Sequence, residues 1–545
     1  MNFVDHILSR LDSLGVEEFF GIPGDFILPL FQAVENSPVN HVATCNELNA
    51  GYAADGYARL KGLGVAVVTY GPGAFSLINA VAGAYAERVP LLVISGAPTT
   101  DSYSNQPLLH HTLTDNYEAS LRMFQDITAH KAILTNPDTA KEDFDRALQI
   151  CLRESRPVYL EVPTDIQTSP CEPANTPLAR LEPYCDEKQL ELAVKDIVQR
   201  ASSGRTVLFP GHEIHRHKLQ GSIVDLMDKT GMHAGSMFIG KSEYLEQHPQ
   251  CLGAYQGAGS REDVKHYVEQ SDCLLFLGTV LSDFNLGGFS DDLNPESIVT
   301  AMDSKVTTPS GTYLDVPLPR LVEALQATLP KGSPDPAAPI HGFAHTSAAS
   351  WFAEETKPLT NKRLYDRLAT FFRPGDVVAA DAGCAINLTQ LQFPENSSYL
   401  SACYWASIGM GFGASLGGSF AADQGQRIIA VEGDGSFQMS AQELATMIRY
   451  ERPVIVIIVN NEGYTAERLI HDGPFNDISQ WRYHQLSSAF GGSQGLDVHT
   501  EQELEDALNL AGQHKGPGPL LIEVHIDPLD ASEAFKLMSE QLRSH

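Results

Sequence analysis

The sequence predicts an α/β protein made of three doubly wound domains, each a parallel sheet with helices packed on it. Three observations predict this fold class. Short apolar runs suited to buried strands alternate with segments of helical periodicity. The alternation is interrupted twice by proline-rich stretches that are typical of linkers. With 545 residues, the chain is also too long for a single core. We therefore predict domains at residues 1–175, 188–330 and 355–545.

The first segment opens with an amphipathic helix. Its first 20 residues carry four acidic side chains and lack a long apolar core, so they do not resemble a signal or transit peptide. Two buried strands are expected at 65–69 and 91–95, on either side of a helix at 74–86. Five prolines between Pro163 and Pro183 then predict a linker.

The middle segment repeats the pattern, with apolar runs at 206–209 and 273–277. It also contains three closely spaced histidines, His212, His215 and His217, which superficially resemble metal ligands. We expect them on the solvated surface. A second linker, rich in proline, alanine, glycine and aspartate, follows at 330–339.

The third segment contains a strand–turn–helix–strand unit. Its strands are predicted at 427–431 and 453–459, and its helix lies within 440–450. Gly433-Asp434-Gly435-Ser436 follows the first strand, and Asn460-Asn461-Glu462-Gly463 follows the second. Because parallel strands open into one crevice at their carboxyl ends, we expect these two turns to face the same ligand.

The residue types in these turns suit a diphosphate held through Mg²⁺. The Asp434 carboxylate, the Asn461 amide oxygen and the carbonyl of Gly463 offer the oxygen ligands that Mg²⁺ prefers. Phosphate oxygens and water would complete the shell. Glycines at 433 and 435 let the backbone approach the phosphates, and the helix that follows offers free N–H groups, with Ser436 in its first turn.

Composition narrows the classes of partner. Hydrophobic residues make up 43% and charged residues 19%, which is ordinary for a globular protein. A formal net charge of −31 argues against nucleic acid or an anionic membrane as a partner. No apolar run approaches the roughly 18 residues of a membrane span. The eight cysteines are scattered and form no Cys-x-x-Cys pair, so we expect a reducing, cytoplasmic location.

The spacing from Gly433 to Asn461 resembles the thiamine diphosphate-binding motif. Four further stretches, at 21–26, 45–59, 108–112 and 463–467, occur in the order found in the pyruvate decarboxylase family. That family includes indolepyruvate, phenylpyruvate and branched-chain 2-oxo acid decarboxylases. The resemblance covers nearly the whole chain. It implies pyrimidine-binding, central and diphosphate-binding domains, and a non-oxidative decarboxylation of a 2-oxo acid to an aldehyde and CO2 with thiamine diphosphate and Mg²⁺.

The resemblance also assigns roles to residues. It implies that Glu47 hydrogen-bonds the cofactor's pyrimidine ring, that Ile408 supports the bend of the cofactor, and that the Ala406 carbonyl accepts from its amino group. It implies that the proton-transfer groups are Asp25, His110, His111 and Glu467. The other expected cofactor contacts are Gly383, Asp434, Gly435, Ser436 and Asn461.

The implied site draws on both ends of the chain. In this family the first domain of one subunit faces the third domain of its partner, so the resemblance implies a homodimer, paired into a tetramer. From the sequence alone, a cleft within one chain remains equally possible.

The implied substrate pocket is larger than in typical pyruvate decarboxylases. Ala466 stands where those enzymes carry a large aliphatic residue, and Ile386 stands where they carry an aromatic one. Ile470 and Phe284 are further candidate walls. Because each additional buried methylene contributes about 0.8 kcal/mol, extra apolar room favours larger substrates. We expect a preference for branched-chain or aromatic 2-oxo acids over pyruvate.

Four other functions remain to be weighed. A pyruvate decarboxylase proper differs only in substrate preference. A transferase resembling acetohydroxyacid synthase would lack the adjacent histidine pair and would usually carry FAD. A flavin-dependent pyruvate oxidase is disfavoured for a similar reason. A non-catalytic thiamine diphosphate-binding protein would have no need of the proton-transfer groups.

Overall fold

The computed structural model describes residues 1–113, 116–241, 243–347 and 351–544. It contains three sheets with helices packed against them, which confirms the predicted α/β class. The strands of the three sheets fall within 18–163, 206–314 and 377–525, inside the three predicted domains. The domain boundaries themselves stay predictions. Within the described ranges, no helix combines the length and the apolar character needed to cross a membrane.

The first sheet has six strands, all parallel. They are β1 (Glu18–Gly21), β2 (Asn40–Ala43), β3 (Gly64–Val68), β4 (Leu91–Ala97), β5 (His130–Ile133) and β6 (Val158–Pro163). Their spatial order is β2-β1-β3-β4-β6-β5. The helices are α1 (Phe3–Ser13), α2 (Leu28–Ala33), α3 (Glu47–Lys61), α4 (Pro72–Ser76), α5 (Ile78–Ala86), α6 (Thr100–Asn105), α7 (Ala119–Met123), α8 (Ala140–Glu154) and α9 (Thr164–Gln167). The helix expected at 74–86 is thus divided into α4 and α5.

The middle sheet has seven strands and is mixed. They are β7 (Thr206–Pro210), β8 (His233–Ser236), β9 (Cys251–Ala254), β10 (Cys273–Leu277), β11 (Ile298–Met302), β12 (Lys305–Thr308) and β13 (Gly311–Leu314). Their order is β13-β12-β11-β10-β7-β8-β9. The helices are α10 (Glu187–Ala201), α11 (His212–Arg216), α12 (Gln220–Thr230), α13 (Glu243–Glu246), α14 (Glu262–Glu269) and α15 (Leu318–Thr328).

Two strands of the middle sheet depart from the expected parallel arrangement. β12 pairs antiparallel with β11, and β13 pairs antiparallel with β12. The turn between β11 and β12 has only two residues, Asp303 and Ser304, with φ of 57° and 54°. A two-residue turn with both φ values positive joins neighbouring antiparallel strands, because a parallel crossover needs a much longer connection.

The third sheet again has six parallel strands. They are β14 (Val377–Ala380), β15 (Ser398–Leu400), β16 (Ile428–Gly433), β17 (Val454–Asn460), β18 (Leu496–Val498) and β19 (Leu520–His525). The helices are α16 (Asn361–Phe371), α17 (Ala382–Thr389), α18 (Met410–Ala421), α19 (Asp434–Gln438), α20 (Glu443–Arg449), α21 (Thr465–Ile470), α22 (Tyr483–Ala489), α23 (Glu501–Ala511) and α24 (Glu533–Ser544). The order β15-β14-β16-β17-β19-β18 repeats the connectivity of the first sheet.

Helices α3 and α18 join the first and third domains. A side chain at Gly417 would place its Cβ 1.8 Å from the Ala53 carbonyl oxygen, and one at Gly56 would place it 2.3 Å from that of Ala414. Only glycine permits so close an approach of two backbones. One hydrophobic core therefore continues from the first domain into the third.

The three histidines of the middle domain are not on the solvated surface, so that prediction was wrong. His212 is buried, and His215 and His217 are half-buried. Burial lowers the pKa of His215 and of His217 to about 4. The segment packs against the first domain, where Arg88 forms an ion pair of 2.6 Å with Glu213. It borders a cavity of about 930 Å³ that none of the predicted site residues lines.

Candidate active site

The two turns expected to share a ligand meet at the carboxyl edge of the third sheet. Asp434 begins α19 directly after β16, and Asn461 directly follows β17, the neighbouring strand. One terminal atom of the Asn461 amide lies 3.2 Å from Asp434 Oδ1 and 3.0 Å from the Gly463 carbonyl oxygen. The three groups predicted to bind metal therefore converge on one place.

This convergence fits a divalent cation. If the amide turns its nitrogen toward the other two groups, it donates to both. If it turns its oxygen there, three oxygens lie close together, an arrangement that a bound cation stabilises. Mg²⁺ takes such oxygen ligands and keeps its remaining positions for phosphate and water. The donor set thus fits Mg²⁺, with Asp434, Asn461 and Gly463 as ligands.

The Asp434 carboxylate is held firmly. Its Oδ1 accepts from the Gly435 N–H at 2.7 Å, and its Oδ2 accepts from the Gly463 N–H at 3.0 Å. Burial raises the pKa of Asp434 to about 7, although these N–H donors act in the opposite direction. A divalent cation beside the carboxylate would favour its ionised form.

The three glycines near the proposed diphosphate site differ in what surrounds them. A Cβ at Gly433 would meet only Ser436 Oγ, at 3.9 Å, and one at Gly383 would meet nothing within 4 Å. Both positions border open space that a diphosphate could use. A Cβ at Gly435 would instead lie 2.5 Å from the ring of Tyr464. Gly435 therefore makes room for this aromatic ring, a reason that the sequence did not reveal.

The segment carrying Ala406 and Ile408 is fixed against the same edge. Asp381, which follows β14, accepts from the Gly409 N–H at 2.9 Å and from the Gly411 N–H at 3.2 Å. Ala406 has a φ of 55°, in the left-handed region that non-glycine residues rarely adopt. The sequence did not single out Asp381 as the residue that holds this segment. An aspartate directly after a buried strand was a signal that could have indicated it.

A second cluster lies at the carboxyl edge of the first sheet. His110 Nε2 lies 2.8 Å from Asp25 Oδ2, and the rings of His110 and His111 are 4.6 Å apart. Phe26 stacks on His110 with a centroid distance of 5.1 Å. Asp25 follows β1 and the histidines follow α6, so the fold brings three of the predicted proton-transfer residues together.

Glu47 stands at the start of α3, after β2. Asn46 caps this helix by accepting from the Asn49 N–H at 2.8 Å. Glu47 Oε1 lies 3.6 Å from the place that a Cβ on Gly73 would occupy. Within the described part of the chain, the half-buried Glu47 carboxylate has no hydrogen-bond or ion-pair partner. A carboxylate left free in this way is suited to bind a ligand.

Glu467 is exposed on α21, close in sequence to the turn that contains Asn461. Arg468 links this turn to α21, since it donates to the Asn461 carbonyl at 3.0 Å and to the Glu462 carbonyl at 2.7 Å. The same guanidinium lies 2.9 Å from Asp477. The position of Glu467 therefore depends on Arg468, which no sequence signal singled out.

The first-domain and third-domain clusters are not joined within one chain. In the described ranges, no hydrogen bond or ion pair connects Glu47, Asp25 or His110 to Asp434 or Glu467. The two domains instead contact each other elsewhere. For example, Glu443 Oε1 accepts from the Cys45 N–H and from Asn49 Nδ2, each at 2.9 Å.

Three of the four predicted pocket residues share one apolar cluster. Ala466 and Phe284 pack on its edge, and Phe284 stacks on Phe238 with a centroid distance of 5.6 Å. Ile386 is inside the cluster and only 3% exposed, while Ala466 is half-buried. The Ile470 carbonyl accepts from Arg543 Nε at 2.9 Å. Helix α24, which carries Arg543, therefore packs beside α21.

Comparison with known proteins identifies the family. Three family models match the chain: the thiamine pyrophosphate enzyme N-terminal TPP binding domain at residues 1–120, the central domain at 194–318 and the C-terminal TPP binding domain at 381–524. The chain is 33% identical to pyruvate decarboxylase 3 of Arabidopsis thaliana, with 97% of this chain and 91% of the relative covered. It is 32% identical to a pyruvate decarboxylase of Aspergillus fumigatus, covering 100% and 97%. It is also 32% identical to an alpha-keto-acid decarboxylase of Mycobacterium bovis, covering 96% and 94%.

Proposed function

Because the chain belongs to the thiamine diphosphate-dependent 2-oxo acid decarboxylases, we propose that it acts on branched-chain or aromatic 2-oxo acids and releases an aldehyde and CO2. The observation that carries this preference is Ala466, half-buried on α21 at the edge of an apolar cluster. A small residue here leaves room for the side chain of the substrate. Two of the three relatives reported above are named pyruvate decarboxylases, so pyruvate is the competing substrate.

The pocket has apolar walls beyond Ala466. Phe284 and Ile386 belong to the same cluster, and Ile470 ends the helix that carries Ala466. A branched or aromatic side chain that fills such a space gains about 0.8 kcal/mol for each buried methylene, which pyruvate cannot use.

Mg²⁺ and the diphosphate would be held at the third sheet. Asp434, Asn461 and the Gly463 carbonyl would supply the metal ligands, and the open backbone at Gly433 and the first turn of α19, which contains Ser436, would face the phosphates. When bound, thiamine diphosphate would supply a nucleophilic thiazolium carbon and a ring that can accept electrons.

Protons are moved by the chain's own residues. Glu47 has no hydrogen-bond or ion-pair partner among the described residues and would hold a proton against the pyrimidine ring nitrogen. After CO2 leaves, one carbon must gain a proton and one hydroxyl must lose its proton. Asp25 and His110 are hydrogen-bonded, with His111 beside them, and can exchange protons among themselves. Glu467 would serve the substrate from the opposite side.

We further propose that the site forms between two subunits of a homodimer, which pairs into a tetramer. Among the described residues no hydrogen bond or ion pair joins the two clusters within one chain, and large apolar residues next to them are exposed; both observations support this arrangement. Leu108, two residues before His110, is 84% exposed, and Trp405, beside Ala406, is 44% exposed. All eight cysteines are free thiols, which supports a cytoplasmic location.

The substrate proposal is tested by comparing kcat/KM for pyruvate, 3-methyl-2-oxobutanoate, phenylpyruvate and indolepyruvate in the presence of thiamine diphosphate and Mg²⁺. Both CO2 and the aldehyde are measured. Higher values for the bulky acids are expected. A preference for pyruvate would overturn the substrate proposal and leave the family assignment intact. Formation of acetolactate from pyruvate would favour a transferase instead.

A further inference from the structure

A group of histidines and carboxylates lies beside the proposed cofactor site and has no role in it. It consists of Asp497 on β18, His499 just after that strand, Glu523 and His525 on β19, and His484 on α22. We call these five residues the β18–β19 cluster. They come from three parts of the third domain that only the folded chain brings together.

Three donor atoms of this cluster converge. Asp497 Oδ1 lies 2.8 Å from His525 Nε2 and 3.3 Å from His499 Nε2. The two imidazole rings stack almost in parallel, with centroids 4.0 Å apart and an interplanar angle of 7°. Each ring therefore directs its Nε2 atom toward the Asp497 carboxylate. The three donor atoms all lie within 4.8 Å of one another.

This geometry is close to that of a metal site. Ligand atoms about 2.0–2.1 Å from a tetrahedral ion are about 3.3 Å from each other, so only small side-chain adjustments would enclose an ion. Two neutral rings can each donate an Nε2–H to Asp497. A divalent cation would displace these two protons and bind the same three atoms, which neutral imidazoles and a carboxylate offer as ligands.

The surrounding residues orient this donor set. Glu523 is buried, and its Oε1 accepts from Asn460 Nδ2 at 2.8 Å. Its Oε2 lies 2.6 Å from His484 Nδ1, and that nitrogen is 3.8 Å from Asp497 Oδ1. Glu523 therefore fixes His484 beside the three donor atoms, through the same nitrogen that faces Asp497.

The Asp497 carboxylate is available as a ligand. Asp497 and His499 are 43% and 56% exposed, so an ion can reach the place from solvent and keep a water ligand.

We propose that Asp497, His499 and His525 bind a divalent transition-metal ion of the Zn²⁺ class, with water completing the coordination shell. Two imidazoles and a carboxylate suit Zn²⁺ or Co²⁺, whereas Mg²⁺ prefers oxygen ligands alone. The site therefore selects a different class of ion from the one at Asp434. The ion would join β18 to β19 and stabilise the outer edge of the third sheet.

The test is a Co²⁺ titration of the tag-free holoenzyme, followed by visible absorption, with Zn²⁺ displacement read by elemental analysis. Excess thiamine diphosphate and Mg²⁺ keep the Asp434 site filled. Wild type is compared with His499→Asn and His525→Asn, and with His110→Asn, which disrupts the Asp–His–His group of the first domain. Circular dichroism checks that each variant is folded.

We expect wild type to bind one more equivalent per chain than His499→Asn or His525→Asn, or to bind it at least about tenfold more tightly. We expect His110→Asn to retain that equivalent, and Zn²⁺ to raise the Tm of wild type but not of His499→Asn. Equal stoichiometry and affinity in wild type and His499→Asn would overturn the proposal. If only His110→Asn loses the additional bound metal ion, the ion lies at the first-domain cluster and the proposal is wrong. No metal binding by wild type would also refute the site.

Discussion

Replacing Ala466 with isoleucine should shift the substrate preference toward pyruvate. Ala466 is half-buried at the edge of the apolar cluster that includes Phe284 and Ile386. Isoleucine adds three carbons in the space proposed for the side chain of a large substrate. At about 0.8 kcal/mol per carbon, the lost burial amounts to about 2.4 kcal/mol. Since each 1.36 kcal/mol is a factor of ten, the ratio of kcat/KM for phenylpyruvate to that for pyruvate should fall about 50-fold.

The assay measures initial rates of CO2 release for both acids across a range of concentrations. The matched control is Ala327→Ile, which places the same side chain on the exposed face of α15 in the middle domain and should leave the ratio unchanged. A ratio in Ala466→Ile within about twofold of wild type would refute the pocket assignment, provided that the variant is folded and active.

Three further predictions concern single carboxyl groups. Glu47→Gln should lower kcat by about 10²–10⁴-fold and leave the Tm unchanged, because the carboxylate has no partner in the part of the chain that the structure describes. Asp434→Asn should weaken Mg²⁺-dependent binding of thiamine diphosphate at least about tenfold in calorimetric titrations, because the ligand loses its charge. Burial raises the pKa of Glu161 from 4.5 to about 7, so the folded chain holds a proton there that the unfolded chain releases. Stability should therefore fall as the pH rises from about 5 to about 7, and Glu161→Gln should remove up to about 3 kcal/mol of this loss.

Each of these predictions has a clear contrary result. Near-normal turnover in Glu47→Gln would remove its proposed role. Unchanged cofactor affinity in Asp434→Asn would place the metal elsewhere. For Glu161, the difference in Tm between variant and wild type should grow between about pH 5 and pH 8. A constant difference would show that Tyr103 and Tyr159, whose hydroxyls donate to this carboxylate, keep it ionised in the folded chain.

The third domain could be predicted from sequence because its signals are local. The turns containing Asp434 and Asn461 each follow a mostly apolar strand, and neighbouring parallel strands place both turns at one edge. Hydrophobic periodicity and sheet geometry were therefore sufficient to predict that these residues meet. The contact between Asp25 and His110 could not be predicted from periodicity. It was expected only because of the family resemblance.

Two features of the middle domain could not be predicted in this way. The turn at Asp303 and Ser304 lacks the glycine or asparagine that usually marks a two-residue hairpin, so nothing indicated that β12 would run antiparallel. His212 is buried because α11 packs against the first domain. Contacts between domains depend on how separately folded units fit together, and periodicity within one segment does not report this.

Near the proposed active site, the sequence did not predict the residues that hold other site residues in place. Asp381 fixes the segment containing Ala406 by accepting from two backbone N–H groups, and Arg468 joins the metal turn to α21. Tyr464 explains why position 435 is glycine. Each contact depends on the folded backbone, which a single sequence does not specify residue by residue.

The central claim is that a first-domain cluster from one chain and a third-domain cluster from its partner form one site. Mixing two inactive variants tests it most directly, with Glu47→Gln as one and Asp434→Asn as the other. After subunit exchange, half of the dimers are hybrids, and each hybrid has one site with neither substitution. The mixture should regain about a quarter of the wild-type activity per site. Activity no higher than that of the separate variants, despite demonstrated exchange, would show that each site lies within a single chain.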